Sequence, residues 1–242
     1  MKTKLMKKMP SIFFITIILF ANSVFATSIS ENPKKEIKVG EFTKISLAIP
    51  ADLYLSQGDE NEVYIDASDQ ILEKIEAEVK NGTLNIQFEK WYNYRGFSDI
   101  KIYITVKQIE KLSLAGSGKI ISQSPIKADK IGLFVSGSGD IEIDELIAAN
   151  VGVMITGSGD IKIQGKSTAN SLDANITGSG DLESEEMEFN KADLTITGSG
   201  SINANVVDEI DALITGSGRI YYKGNPLINA NITGSGKIRS SN

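Results

Sequence analysis

The sequence predicts an all-β fold in which one chain winds into a parallel β-helix, a solenoid of stacked coils. Two observations predict it. The tripeptide Gly-Ser-Gly occurs seven times, at successive spacings of 21, 20, 21, 20, 18 and 18 residues. On both sides of each tripeptide, apolar residues alternate with polar ones, which is the period of a strand. A repeat of about 20 residues is typical of a solenoid, in which each unit covers the apolar face of the next.

The glycines of the repeat predict the corners of the coils. Glycine has no side chain, so it adopts positive φ and lets stacked chains lie about 4.8 Å apart. The predicted corner residues are Gly116, Gly118, Gly137, Gly139, Gly157, Gly159, Gly178, Gly180, Gly198, Gly200, Gly216, Gly218, Gly234 and Gly236. A serine or threonine precedes six of the seven tripeptides. We expect these hydroxyl groups to form a ladder of hydrogen bonds between coils.

Aliphatic residues recur at fixed positions around each corner and predict the core. Val153 and Ile155 precede one tripeptide, for example, and Ile161 follows it. We expect a right-handed coil, because parallel strand crossovers are generally right-handed. The repeat length leaves open whether each coil has two sheets or three.

The first 36 residues are predicted to lie outside the folded domain. Residues 1–26 predict a signal peptide, with four lysines before an apolar run at 12–21 and a small residue at Ala26. That run is too short for a bilayer, which needs about 20 residues, so we expect no transmembrane segment in the mature chain. We therefore expect export to the periplasm, the outer cell envelope or the exterior. Residues 27–36 predict a flexible tail.

Residues 37–242 are predicted to form one β-helix domain. Residues 37–111 lack the tripeptide but alternate in the same way, so they predict N-terminal rungs and a β cap, followed by the repeats over 112–242. Asn81-Gly82 predicts a hairpin turn. The segment 71–79 fits either a helix or a strand, and we favour a strand.

Composition excludes several classes of function. The chain has no His and no Cys, which excludes a Ser/His/Asp triad, a Cys nucleophile and the usual structural zinc site. Without the four lysines of the leader, 21 basic residues face 31 acidic ones. An acidic chain without a basic stripe is not expected to bind nucleic acid. We expect no enzyme activity, no cofactor and no metal.

Three stretches together resemble a known bacterial family. They are Thr156–Ile161, nearly repeated at Thr177–Leu182, the segment Lys80–Leu84, and the strand that begins at Leu112. Over about residues 40 to 238 the chain resembles the "putative auto-transporter adhesin, head GIN domain" family, a domain of unknown function. The resemblance implies a parallel β-helix similar in outline to pectin lyases but without their catalytic residues. It also implies a role in cell adhesion.

The aromatic segment at 91–97 is the main candidate site for binding a surface glycan or protein. Aromatic rings beside a cation are typical of such contacts. Its candidate residues are Trp91, Tyr92, Tyr94, Arg95 and Phe97. The alternative is that these rings pack over the open end of the coil.

Two columns of equivalent positions are further candidates. Asp140, Asp160 and Asp181 follow three successive corners and could stack about 5 Å apart, where a Ca²⁺ ion would relieve their repulsion. The alternative is a solvated edge. Phe134 and Met154 are predicted to be exposed neighbours that could contact a protein.

The sequence thus predicts an exported, non-enzymatic β-helical protein that acts in surface interaction or adhesion. The alternatives are a structural protein of the cell envelope and a polysaccharide lyase. The lyase is disfavoured because Arg219, the nearest arginine to the Asp column, would lie two coils from Asp181. The oligomeric state stays open.

Overall fold

The structure is a computed structural model that describes residues 35–94 and 99–242. The predicted signal peptide and most of the predicted tail lie outside the described residues. Among the residues described, no helix has the length and apolar character needed to span a bilayer.

The repeat region consists of strands that stack in parallel. Its strands are β8 (Lys111–Gly116), β9 (Lys119–Ser122), β10 (Ile126–Gly137), β11 (Asp140–Ile143), β12 (Leu146–Gly157), β13 (Ile161–Ile163), β14 (Thr168–Gly178), β15 (Asp181–Gly198), β16 (Ser201–Gly216), β17 (Arg219–Lys223), β18 (Leu227–Gly234) and β19 (Lys237–Ser240). The first glycine of every tripeptide is paired with the first glycine of the next, from Gly116 through Gly234. The predicted parallel solenoid is confirmed.

The corners are held by the backbone and not by the predicted hydroxyl ladder. In each corner after the first, the serine N–H donates to the first glycine carbonyl of the preceding coil, as from Ser179 to Gly157 at 2.8 Å. The first glycines have φ between 103° and 134°. The threonines before the corners are exposed. The ladder prediction was wrong because the alternation of the strand points those hydroxyl groups to solvent, away from the neighbouring backbone.

Each complete coil contains three runs of inward-facing residues. In one coil the buried residues are Ile141 and Ile143, then Leu146 and Ala148, then Val151, Val153 and Ile155. We call the strands before the corners the pre-corner sheet and those after them the post-corner sheet. The middle run, such as 146–150, is the return segment. The question of two or three faces is therefore answered by three.

The N-terminal region adds two coils in an order that differs from the chain order. Its elements are β1 (Lys35–Glu36), β2 (Lys44–Leu47), β3 (Asp52–Gln57), β4 (Glu62–Asp66), α1 (Asp69–Leu72), β5 (Ile75–Lys80), β6 (Thr83–Phe88) and β7 (Lys101–Val106). β2 lies between β6 and β8, and β3 lies between β7 and β9, all in parallel. The coil formed by β6 and β7 is therefore the outer one.

Antiparallel strands and one helical turn close the N-terminal end. β5 and β6 form the predicted hairpin, with positive φ at Asn81 and Gly82. β4 runs antiparallel to β7, and β1 pairs with β4, so the last two residues of the segment predicted as a tail are in a strand. The strand prediction for 71–79 was right from Ile75 but wrong for Ile71 and Leu72, which lie in α1. Ile71 is buried there and covers the core.

Candidate functional site

The aromatic segment occupies a corner position of the solenoid. In the coil of β2 and β3, the N–H of Asp52 bonds the carbonyl of Ile100, just as the N–H of Lys119 bonds that of Ala51 in the next coil. Ile100 therefore stands where the second corner glycine stands elsewhere. In the outer coil, the segment that leads to this position begins with residues 89–94, which we call the Trp91 loop.

The rings of the Trp91 loop divide into a base and a tip. The rings of Tyr92 and Tyr94 each lie 5.1 Å from that of Phe88, and both residues are half-buried. Trp91 is 90% exposed, with φ of 76°. Positive φ at a residue other than glycine costs about 1–3 kcal/mol and is concentrated at functional positions. The two tyrosines therefore pack against Phe88, whereas the Trp91 side chain projects into solvent.

The base of the loop is tied to the hairpin. Glu89 accepts a hydrogen bond from the Nζ of Lys74 at 2.8 Å, and its N–H donates to the Lys74 carbonyl at 2.8 Å. The hydrogen bond to Glu89 raises the pKa of Lys74. The Nζ of Lys90 lies 5.4 Å from the Trp91 ring centroid. Arg95 and Phe97, the other predicted site residues, lie outside the described residues.

The aspartate column forms the stack that the register predicts. Asp140 pairs with Lys119, and Asp181 pairs with Ser201 in the following coil. The carboxylates accept hydrogen bonds from the backbone of the next coil: Asp140 from the N–H of Asp160 at 3.1 Å, Asp160 from that of Asp181 at 2.8 Å, and Asp181 from that of Ser201 at 2.7 Å. Each carboxylate therefore holds the coil that follows it.

Where the preceding column residue is not an aspartate, a glycine carbonyl takes over as acceptor. The N–H of Asp140 bonds Gly118 at 3.2 Å, that of Arg219 bonds Gly200 at 3.0 Å, and that of Lys237 bonds Gly218 at 3.1 Å. The side chain thus decides how the post-corner strand begins. This alternation gives the aspartates a structural role that their spacing alone does not show.

Asp160, the middle aspartate of the column, has a raised pKa. Burial raises the pKa of Asp160, as do the charges of Asp181, Asp140 and Glu183, while the hydrogen bond from the Asp181 N–H opposes the shift. Lys162 pairs with Glu183 at 3.3 Å and Lys119 with Glu142 at 2.8 Å. Within residues 35–94 and 99–242, no group of three or more acidic side chains is arranged to hold a metal ion.

We expect Asp160→Asn to weaken the pH dependence of stability. A raised carboxyl pKa means that the folded state binds the proton more tightly than the unfolded state. The stabilisation it brings is present at low pH and is lost as pH rises through the folded pKa. Asparagine keeps the acceptor oxygen and removes the charge. Urea unfolding midpoints of variant and wild type should therefore diverge in favour of the variant between mildly acidic and neutral pH. If the midpoints of variant and wild type differed equally at mildly acidic and at neutral pH, the raised pKa of Asp160 would be contradicted.

Of the predicted exposed pair on the pre-corner sheet, Met154 is exposed and Phe134 is engaged by its neighbours. Phe134 and Met154 are paired in register, and Met154 is 46% exposed. The Phe134 ring, however, lies over Gly132 and has the Nζ of Lys111 4.0 Å from its centroid. The Phe134 ring therefore contacts Lys111 and is not a free apolar surface for a protein partner.

Comparison with known proteins identifies the family. The family model described as "Putative auto-transporter adhesin, head GIN domain" matches residues 41–226. The chain belongs to this family. No curated protein matches it.

Solved structures of similar proteins share the fold. A putative adhesin from Bacteroides fragilis has 28% identity and a TM-score of 0.79, covering 88% of this chain and 98% of its own. A protein from Parabacteroides distasonis, described as a putative lipid binding protein, has 26% identity and a TM-score of 0.72, with 87% and 97% covered. A putative adhesin from Parabacteroides merdae, at 20% identity and a TM-score of 0.70 over 87% and 96%, supports the fold alone.

The head GIN domain here does not bring the lyase candidates together. Arg219 lies in register with Ser201 and Lys237, while Asp181 lies one coil before Ser201. The predicted separation of two coils is confirmed, at about 10 Å by strand spacing. One arginine and one carboxylate at that separation do not form a common centre.

Sequence reasoning missed two features of the head GIN domain's candidate site. Phe88, the base of the aromatic cluster, was assigned only to the alternation of β6. The position of the loop at a corner was not predicted either. The length of the segment between Phe88 and Ile100, against three residues at other corners, is the signal that could have revealed it.

Proposed function

We propose that this protein is exported and binds a glycan or a protein of a cell surface through the Trp91 loop, without catalysing a reaction. The observation that carries the proposal is the 90% exposure of Trp91 on a base of packed aromatic rings. An exposed tryptophan has a large apolar surface whose burial contributes strongly to binding, and tryptophan is enriched among the residues that dominate interfaces. A structural envelope protein would not need this projecting ring.

The family descriptions support the same proposal. The family is described as a putative auto-transporter adhesin, and the similar structure from Bacteroides fragilis is described as a putative adhesin. In solenoids, insertions concentrate on one face, which is often the binding face. The segment between Phe88 and Ile100 is longer than a tripeptide corner, and the Trp91 loop follows β6 at the end of the parallel strands where β8 and β10 reach their corners.

We expect Trp91→Ala to weaken binding about 30-fold, since truncating a tryptophan at the centre of an interface costs about 2 kcal/mol or more. Mature protein would be screened on glycan arrays and on intact bacterial and host cells, and the affinity of the best ligand measured by titration. Because Trp91 is the only tryptophan, fluorescence excited selectively in tryptophan, and not in the tyrosines, reports on this ring directly.

The matched control is Leu227→Ala, which removes another strongly exposed apolar side chain, 78% exposed in β18. It should leave affinity and fluorescence response unchanged. A saturable ligand whose affinity is equal for wild type and Trp91→Ala would place binding elsewhere. No saturable ligand, together with retention in the periplasm on cell fractionation, would favour the structural alternative. Unsaturated ends appearing in an acidic polysaccharide would show a lyase.

A further inference from the structure

A groove of about 860 Å³ opens on the outer surface where β10 bends from its return segment into the pre-corner sheet. Its volume lies within the range of about 300–1,000 Å³ typical of small-molecule sites. A second depression of about 430 Å³ shares Ala128 and Ile147 with it and continues past Ala149 and Ala169. Together they follow the bend across about three coil intervals, or roughly 14 Å.

The groove exists because the chain changes coils at this point. The connection from β7 to β8, residues 107–110, passes beside β2, where the N–H of Glu110 donates to the carbonyl of Thr43 at 2.7 Å. The start of β10 therefore pairs with β12 on one side, whereas its pairing with β8 begins only at Gly132. The opening lies between residues 107–110 and 127–130.

The floor and walls of the groove are apolar. Ile109 is buried at its base, Ala128 and Phe134 are half-buried, and Ile147 is 41% exposed. An exposed branched aliphatic side chain beside a concave apolar surface favours binding of a ligand there, because the ligand would remove that side chain from water. The continuation is polar as well as apolar: half-buried Ala149 lines it together with Thr168, Asn170 and Asn190, while the side chain of Ala169 is buried.

The rim carries an excess of positive charge on an acidic protein. Lys44, Lys111, Lys127 and Lys130 line it, against Glu110 and Asp129. Lys44 is engaged by Glu110 at 3.7 Å and Lys111 by the Phe134 ring. Over the part of the chain that the structure describes, neither Lys127 nor Lys130 has an ion-pair partner. The local charge therefore selects an anionic ligand.

Contacts within the groove disfavour a peptide strand and a stacked sugar. A peptide would need a free strand edge, but the side chain of Gln57 already bonds both the N–H and the carbonyl of Lys127, at 2.7 and 3.0 Å. At the other end, the N–H of Gly132 bonds Glu110 at 2.8 Å. A sugar would need an open aromatic face, and the Phe134 ring is half-buried, lies against Gly132 and has the Nζ of Lys111 4.0 Å from its centroid.

We propose that this groove binds a monomeric single-chain carboxylate amphiphile of the fatty-acid class. The carboxylate lies between Lys127 and Lys130, with Lys111 held nearby on Phe134. The aliphatic chain lies in the groove over Ala128 and covers Ile147. The site is separate from the Trp91 loop, which lies at the opposite, corner end of the pre-corner strands.

The test is a titration of mature protein with a fluorescent long-chain fatty acid, displaced by palmitate, hexadecanol or acetate. We expect one saturable site for palmitate below its micelle concentration, about tenfold or more weaker displacement by hexadecanol, and none by acetate. The double variant Lys127→Glu/Lys130→Glu should lose affinity for palmitate by about tenfold or more, as a charge-assisted contact would require. The control Lys237→Glu/Arg239→Glu makes the same change in net charge elsewhere and should leave affinity unchanged.

A second pair of variants tests the apolar part. Ile147→Ser should weaken palmitate binding by about tenfold, from the loss of one aliphatic contact. Leu213→Ser, at a similarly exposed position on the pre-corner sheet, should have no effect. Circular dichroism and urea midpoints confirm folding of each variant.

Several outcomes would overturn the proposal. They are no saturable binding of palmitate, equal displacement by palmitate and hexadecanol, and unchanged affinity in the Lys127/Lys130 variant. Binding only to anionic vesicles of phosphatidylcholine and phosphatidylglycerol would mean membrane attraction and not a ligand site. Trp91→Ala should leave palmitate affinity unchanged, so failure of the groove proposal is distinguishable from failure of the Trp91 proposal.

Discussion

Gly178→Ala is expected to destabilise the protein by about 4 kcal/mol or more, in the range reached by few single substitutions. A Cβ at this position would lie 2.2 Å from the carbonyl oxygen of Gly157 in the preceding coil. That contact is between backbones that are paired in register, so neither can move without breaking the corner. The φ of 128° adds strain of about 1–3 kcal/mol. Urea unfolding followed by circular dichroism measures the loss.

Two matched variants separate the contributions. Gly116 has φ of 103° but open space at its Cβ position, because no tripeptide corner precedes it. Gly116→Ala should therefore lose only the strain, about 1–3 kcal/mol. Ser179→Ala changes an exposed side chain within the same corner and should stay within about 0.5 kcal/mol of wild type. Equal losses for Gly116→Ala and Gly178→Ala would refute close stacking of the corners.

Phe189→Ala is expected to destabilise the protein by about 3–5 kcal/mol, the usual cost of removing a buried phenylalanine ring. Phe189 is fully buried and, among the residues that the structure describes, is the largest of the fully buried side chains. It lies in the return segment of β15, in register with Ala169 before it and Val206 after it. The small Ala169 leaves room for the ring, so truncation creates a cavity that neighbouring coils cannot fill.

The control for the ring is an apolar side chain that faces outward. Leu213→Ala removes a side chain that is 44% exposed and should cost about 0.5 kcal/mol or less. The comparison is made on urea midpoints under identical conditions. If Phe189→Ala cost no more than Leu213→Ala, the interior of the coil would not be close-packed.

The repeat region was predictable because its physics is local and periodic. Glycines that need positive φ and aliphatic residues at fixed offsets recur in every unit, so one correct corner implies all the others. The expected register of Gly116 through Gly234 is confirmed. The threonine hydroxyl ladder failed because the alternation that buries Ile155 also turns Thr156 to solvent.

The N-terminal region was less predictable, since its arrangement depends on contacts between segments distant in the chain. Nothing in the alternation of β2 or β6 indicates that β6 lies outside β2, and the return from the outer coil is what opens the lysine-lined groove. Ile71 could be assigned to either period, and burial against the core favoured a helical turn. The right hand of the coil stays a prediction.

The distances between corner serines test the stacked solenoid most directly. The chain has no cysteine, so paired Ser→Cys variants can carry spin labels without background sites. Ser138, Ser158, Ser179, Ser199, Ser217 and Ser235 are all exposed. For pairs separated by two to five coils, pulsed electron paramagnetic resonance should give distances between the two spin labels that rise linearly by about 4.8 Å per coil. Distances unrelated to the number of intervening coils would contradict the parallel solenoid on which every proposal here depends.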